Sequence, residues 1–99
     1  MGHYNFNHNH KDVTAAGTAE RLVASSTRIP VGVAVVIKTK TGNEGTVYIG
    51  KTQAQAQDTD AAWSLLADEW VGLLVSDLYD VWVDASISGE GVNWIVEVA

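Results

Sequence analysis

The side chains of this chain with the widest chemical repertoire are three histidines and twelve acids. A nucleophile needs a base within hydrogen-bond reach, and histidine is the usual base. His3, His8 and His10 all fall in one polar opening run, MGHYNFNHNHK, with nothing to hold them to catalytic tolerance. Carboxylates recur at short spacing in Asp58/Asp60 and in Asp77/Asp80/Asp84. Paired carboxylates cleave glycosides when an apolar floor raises the pKa of one of them, and a small strand-rich domain has little room for such a cleft. The absence of cysteine removes thiolate nucleophiles, thiolate metal sites and a disulfide framework. Gly45-Thr-Val-Tyr-Ile-Gly50-Lys51-Thr52 has the spacing of a phosphate loop, but Thr46–Gly50 reads as a strand and not as the loop between a strand and a helix, and Gly89-Glu90-Gly91 does not join a strand to a helix, so phosphate loops are not expected. In an extended segment His8 and His10 share a side, but two imidazoles hold zinc only if other ligands close the shell. The acids do not follow a calcium-loop pattern, and solvated charge is the default at Asp77, Asp80 and Asp84 beside weak surface calcium. The expectation is a protein that is not an enzyme, with no catalytic, cofactor-binding or metal-ligating residues and no cofactor.

Aromatic side chains offer a different chemistry, that of contact. Tyr4 and Phe6 share one side of the opening run if it is extended, and such residues are typical of contact surfaces. Trp94 falls with the apolar set of its segment and is expected in the core. Trp82 alternates with acids and is expected at a subunit contact or against a second sheet. Trp63 and Trp70 flank an ambiguous stretch. Together Tyr4, Phe6, Trp63, Trp70 and Trp82 are the candidate partner-contact residues. A surface aromatic pair can also stack on sugar rings, which keeps a carbohydrate-binding reading open. Large apolar patches on small proteins more often mark protein partners.

Charge narrows the partner class. The formal net charge is −6. All six basic residues lie at or before Lys51, with three acids among them, and nine acids follow. That balance argues against nucleic acid and anionic membranes, which require basic patches. Its readings are a solvated surface or a two-signed molecule whose positive part meets a neighbour's negative part. No apolar run approaches the roughly 20 residues of a membrane span, and the polar opening residues lack the apolar core of a signal peptide.

The elements that must position these residues are strands. Ninety-nine residues make one domain, large enough for one modest core. Residues 1–12 read as an extended N-terminal arm and residues 13–99 as the domain. In DLYDVWVDAS, Tyr79, Val81, Val83 and Ala85 alternate with acids and Trp82. In VNWIVEV, Val92, Trp94, Val96 and Val98 alternate with Asn93, Ile95 and Glu97. With Ser88-Gly89-Glu90-Gly91 between them, the two read as a hairpin. Val31–Lys40 is the clearest strand, with Val33, Val35, Ile37 and Thr39 on one face, and Thr46–Gly50 reads as its hairpin partner across a glycine turn. Leu22 is the expected core residue of the weakly patterned stretch Val13–Ala24. Lys51–Asp60 reads as a polar excursion or an edge strand. In Ala61–Val75, Trp63, Leu66, Trp70 and Leu74 recur at helical spacing, so a short helix within 60–75 stands beside two strands joined at Asp68-Glu69.

The order Gly17-Thr-Ala-Glu20, Val33-Ala-Val-Val-Ile37, Asn43-Glu-Gly45-Thr-Val-Tyr-Ile-Gly50, Asp77-Leu-Tyr-Asp-Val-Trp-Val-Asp-Ala85 and Gly89-Glu-Gly91-Val resembles small virion proteins of tailed bacteriophages. These are capsid decoration (cement) or head-associated proteins. The resemblance runs from about Thr14 onward. It implies an all-β fold, a small antiparallel β-sandwich of jelly-roll type, with Leu65–Val75 as strand, turn and strand. Where Ala67-Asp68-Glu69 stands, such sequences carry a proline–glycine turn. It further implies a virion location, a homo-oligomer with a trimer favoured, and the major capsid protein or other virion proteins as partners. A tail- or fibre-associated module that binds carbohydrate or receptor is the alternative.

Overall fold

The computed structural model describes residues 5–98, with side chains described for 8–96. Among the described residues eight strands follow one another: β1 (Asn5–Asp12), β2 (Glu20–Arg21), β3 (Val35–Thr39), β4 (Val47–Gly50), β5 (Trp63–Leu65), β6 (Trp70–Leu73), β7 (Trp82–Ala85) and β8 (Gly91–Val98). A single helical turn, α1 (Gln53–Gln57), separates β4 from β5, and a 3₁₀ turn at Leu78–Asp80 precedes β7. The strands make two four-stranded sheets, a front sheet ordered β1-β8-β3-β6 and a back sheet ordered β2-β7-β4-β5. All neighbours are antiparallel, so the domain is all-β as expected. The pairs β1–β8, β2–β7, β3–β6 and β4–β5 run the chain out and back as one ribbon, and the contacts β3–β8 and β4–β7 fold that ribbon over the core.

This ribbon overturns both expected hairpins. β7 lies in the back sheet and β8 in the front sheet, so Ser86–Glu90 arches between sheets. β3 and β4 are separated in the same way. Strict alternation tells which side of a strand is buried, and that side is the same whether the next strand lies beside it or across the core. Gly89 does adopt the expected positive φ, +88°. Gly91 serves closeness instead: a Cβ there would stand 1.9 Å from the Lys11 carbonyl oxygen.

The segment expected as an arm runs along the same chain. Asn5–Asp12 pairs with β8 over its whole length, from Asn5 opposite Val98 to Asp12 opposite Gly91. Its polar composition suits an edge strand, whose outer backbone faces water. The short helix allowed within 60–75 is replaced by β5 and β6. The turn between them is fastened by β3: the Thr39 hydroxyl is shared between the carbonyls of Leu66 and Glu69, and the Thr39 N–H donates to Glu69 O at 2.9 Å. Asp68 takes φ +65°, a left-handed position short polar residues tolerate, and its carboxylate accepts from the Thr41 hydroxyl at 2.6 Å. The excursion at Lys51–Asp60 contains α1, capped by Thr52, and Gln53 and Gln57 bracket the backbone of Ala19.

The core follows the inward rows. In the front sheet Trp94, Ile37 and Val71 form one row and Val96, Val35 and Leu73 the next. In the back sheet Ala85, Val47 and Leu65 align, as do Val83 and Ile49. Val13, Leu22, Ile29, Leu78 and Val81 fill the ends of the same cluster. Leu22 and Trp94 are buried, as expected from their segments.

Candidate functional site

A two-sheet sandwich has two open sides, and here they differ in chemistry. On the β1/β2 side the inward positions are polar. Lys11 projects from the front sheet and Glu20 from the back sheet, and their side chains meet at 2.7 Å across the gap. The Lys11 hydrogen bond, then the Thr14 N–H, holds the Glu20 carboxyl below its ordinary range. Beside this pair lies a cleft of about 470 Å³ lined by Asn9, Arg21, Tyr79 and Trp94. The Trp94 Nε1 atom is buried without a hydrogen-bond partner among the described residues.

On the β5/β6 side the side chains are apolar and exposed. Trp63 is 62% exposed, Leu66 58%, Trp70 65% and Leu74 74%. Neither β5 nor β6 carries a charged residue. Register separates the two indoles: Trp63 stands opposite Ile49 on the row that faces between the sheets, whereas Trp70 stands opposite Lys38 on the outer face of the front sheet. They are therefore two faces of one edge, a division that their shared helical spacing conceals. Val31 is fully exposed near the same edge, where the 29–33 loop and Leu74–Ser76 line a shallow apolar hollow. The patch continues onto the front sheet's outer face, where His8, Ile95, Val36 and Gly72 form one ladder and His10, Asn93, Lys38 and Trp70 the next. Val36 and Ile95 floor a trough of about 660 Å³ rimmed by His8, His10 and Lys38.

The other candidate contact residues are placed differently. Trp82 is half-buried, with the Arg21 guanidinium 4.5 Å from its ring centre and 3.8 Å from that of Tyr79. The same guanidinium donates to the Tyr79 carbonyl. Arg21 thus caps Trp82 through a cation–π contact. Phe6 is located by its backbone alone, opposite Glu97 in β1. Tyr4 lies outside the described residues.

Two of the acids singled out for their spacing, Asp77 and Asp84, hold the frame, and so does Glu90. Asp77 accepts from the Ser26 hydroxyl, from Thr27 N–H at 2.7 Å and from Tyr79 N–H at 2.9 Å, and those bonds, Ser26 first, keep its carboxyl below the ordinary range. Asp84 is buried and accepts from Gly17 N–H at 3.0 Å and Ala85 N–H at 2.8 Å. Glu90 accepts from the backbones of Glu44 and Gly45. Among the described residues no three histidines or acids are grouped to hold a metal ion, and no helix is long and apolar enough to cross a membrane. No family model, curated protein or solved structure matches the chain.

Proposed function

We propose that the chain is a non-enzymatic structural protein of a phage virion, a cement or head-associated component that acts by contact. The observation that carries the contact reading is the β5–β6 edge, where Trp63, Leu66, Trp70 and Leu74 stand in water. Exposed apolar patches of this kind mark protein interfaces, and tryptophan is among the residues that dominate their energy. The virion assignment comes from the sequence resemblance. The mechanism is passive: a rigid sandwich presents an apolar edge, copies bind the assembled shell and not its dispersed subunits, and mass action stabilises the shell.

The test is co-sedimentation with shells built from the co-encoded major capsid protein. Trp63→Ser together with Leu66→Ser is expected to weaken shell binding by about a hundredfold, as for loss of a central interface residue. Full-strength binding by this variant, or its absence in wild type, removes the reading. The β1/β2 cleft, with its buried unpartnered indole N–H, supports the second reading, recognition of a glycan on a tail or fibre. A saturable change in tryptophan emission on adding sugars, abolished by Asn9→Ala, would select it.

A further inference from the structure

We infer that β6 is a self-pairing edge: two copies of the chain join antiparallel along it, about a two-fold axis through Gly72, into one continuous eight-stranded sheet. The inference rests on the reading of this edge as a contact surface and is independent of the virion assignment.

The backbone sets the register. Thr39 N–H donates to Glu69 O, so Thr39 and Glu69 form a close, hydrogen-bonded pair of the β3–β6 ladder. Close and open pairs alternate along an antiparallel ladder. Ile37–Val71 and Val35–Leu73 are then also close pairs. It follows that the N–H and C=O groups of Trp70 and Gly72 turn away from β3, toward the open side. They are a ready template for another strand.

The side chains select the occupant. Trp70 and Leu74 flank Gly72 symmetrically, two residues to either side. Antiparallel pairing centred on Gly72 sets Gly72 against Gly72, Trp70 against Leu74 of the second copy, and Leu74 against its Trp70. An isologous contact requires this reciprocity. Space exists for the two indoles, because a Cβ built on Gly72 meets nothing within 4 Å. On the inward row Val71 meets Leu73, so the core continues across the axis. The acids before the strand, Asp68 and Glu69, oppose no acid, because the Val75-Ser76 segment beyond Leu74 of the second copy is uncharged, its Ser76 carbonyl already bonded to the Ile29 N–H. No other described edge has these properties. The described side chains of β1 are His8, Asn9, His10, Lys11 and Asp12; β2 is two charged residues; β5 is three residues long.

The association is even-numbered, in place of the trimer expected from the resemblance. Sedimentation equilibrium of the full chain is expected to give a dimer, and Leu74→Lys, a change at a solvent-exposed position, to weaken it by about tenfold or more. The chain has no cysteine, so Gly72→Cys introduces a single thiol. A short bis-maleimide should link this variant to itself far faster than Ala54→Cys, which sits on α1 of the back sheet. A monomer up to the solubility limit, a trimer, or equal cross-linking of the two variants overturns the pairing. Shell binding that survives such a result would leave the contact function standing without it.

Discussion

At the residue scale the most consequential side chains are carboxylates that bond to backbone and hydroxyl donors. Asp77 shows why. It caps the 3₁₀ turn through Tyr79 N–H and at the same time holds Ser26 and Thr27, so one side chain ties the approach to β3 to the approach to β7. Three donors stabilise the charged form, which is why its pKa falls. Glu20 is depressed mainly by Lys11 and Asp68 mainly by the Thr41 hydroxyl. A carboxyl whose folded pKa lies below its unfolded value contributes stability that is complete above the unfolded value and disappears as pH falls through the folded one. Stability should therefore hold at neutral pH and decline below the ordinary values of 4.5 for Glu20 and 3.8 for Asp77. In urea titrations across that window, Asp77→Asn is expected to lower the midpoint at pH 7 and to flatten the acid limb. An Asp77→Asn variant as acid-sensitive as wild type would show that the latch does not depend on the ionised carboxylate.

At the element scale, strand identity was legible and strand partnership was not. β3, β7 and β8 each announced their buried face by alternation, and Val35, Ile37, Val81, Val83, Val92 and Trp94 are buried accordingly. Alternation carries no information on whether the next strand lies beside or opposite, which is why two arches read as hairpins. The stretch 61–75 misled more deeply. Trp63, Leu66, Trp70 and Leu74 have the spacing of a helix's buried face, yet they are its exposed large apolar residues, and Leu65 is the buried one. Spacing reports a face, and only the Thr39 latch and the turn at Asp68 decide that the backbone is extended there. The opening segment hid its role because its strand signal lies in its partner: β8 needs an edge cover, and Gly91 is the position where that cover comes closest. Gly91→Ala should drive a Cβ into the Lys11 carbonyl and destabilise the fold by about 1–3 kcal/mol, with amide exchange accelerating first in β1. Gly72→Ala, which meets open space, should stay within about 0.5 kcal/mol of wild type in thermal unfolding. Equal effects of the two alanines would mean that β1 is not held where it lies.

At the scale of the whole molecule, the positive charge of the basic half is largely paired on folding. Lys38 reaches Asp68 at 3.5 Å and Arg28 lies by Asp77, which joins the basic half to the acidic half, while Lys11 and Lys40 pair with Glu20 and Asp12. A two-signed exterior is thus a weak basis for assembly, since surface ion pairs contribute about 0–1 kcal/mol each and are screened by salt. Polarity is asymmetric as well. The β1/β2 side is closed by an ion pair and the β5/β6 side is left apolar, so association should be driven by burial of the apolar side and change little with salt. Tryptophan reports on this directly. Of the four indoles, Trp63 and Trp70 face solvent, Trp82 lies beneath Arg21 and Trp94 is in the core. In dilute solution acrylamide should therefore quench a large part of the emission. As protein concentration rises, or as shells are added, the quenchable fraction should fall and the emission shift to the blue. A Trp63→Phe, Trp70→Phe variant should lack both changes, because its remaining indoles are already shielded. If that variant still responds to concentration as wild type does, association runs through the opposite side of the sandwich, and the apolar edge is not the surface the molecule uses.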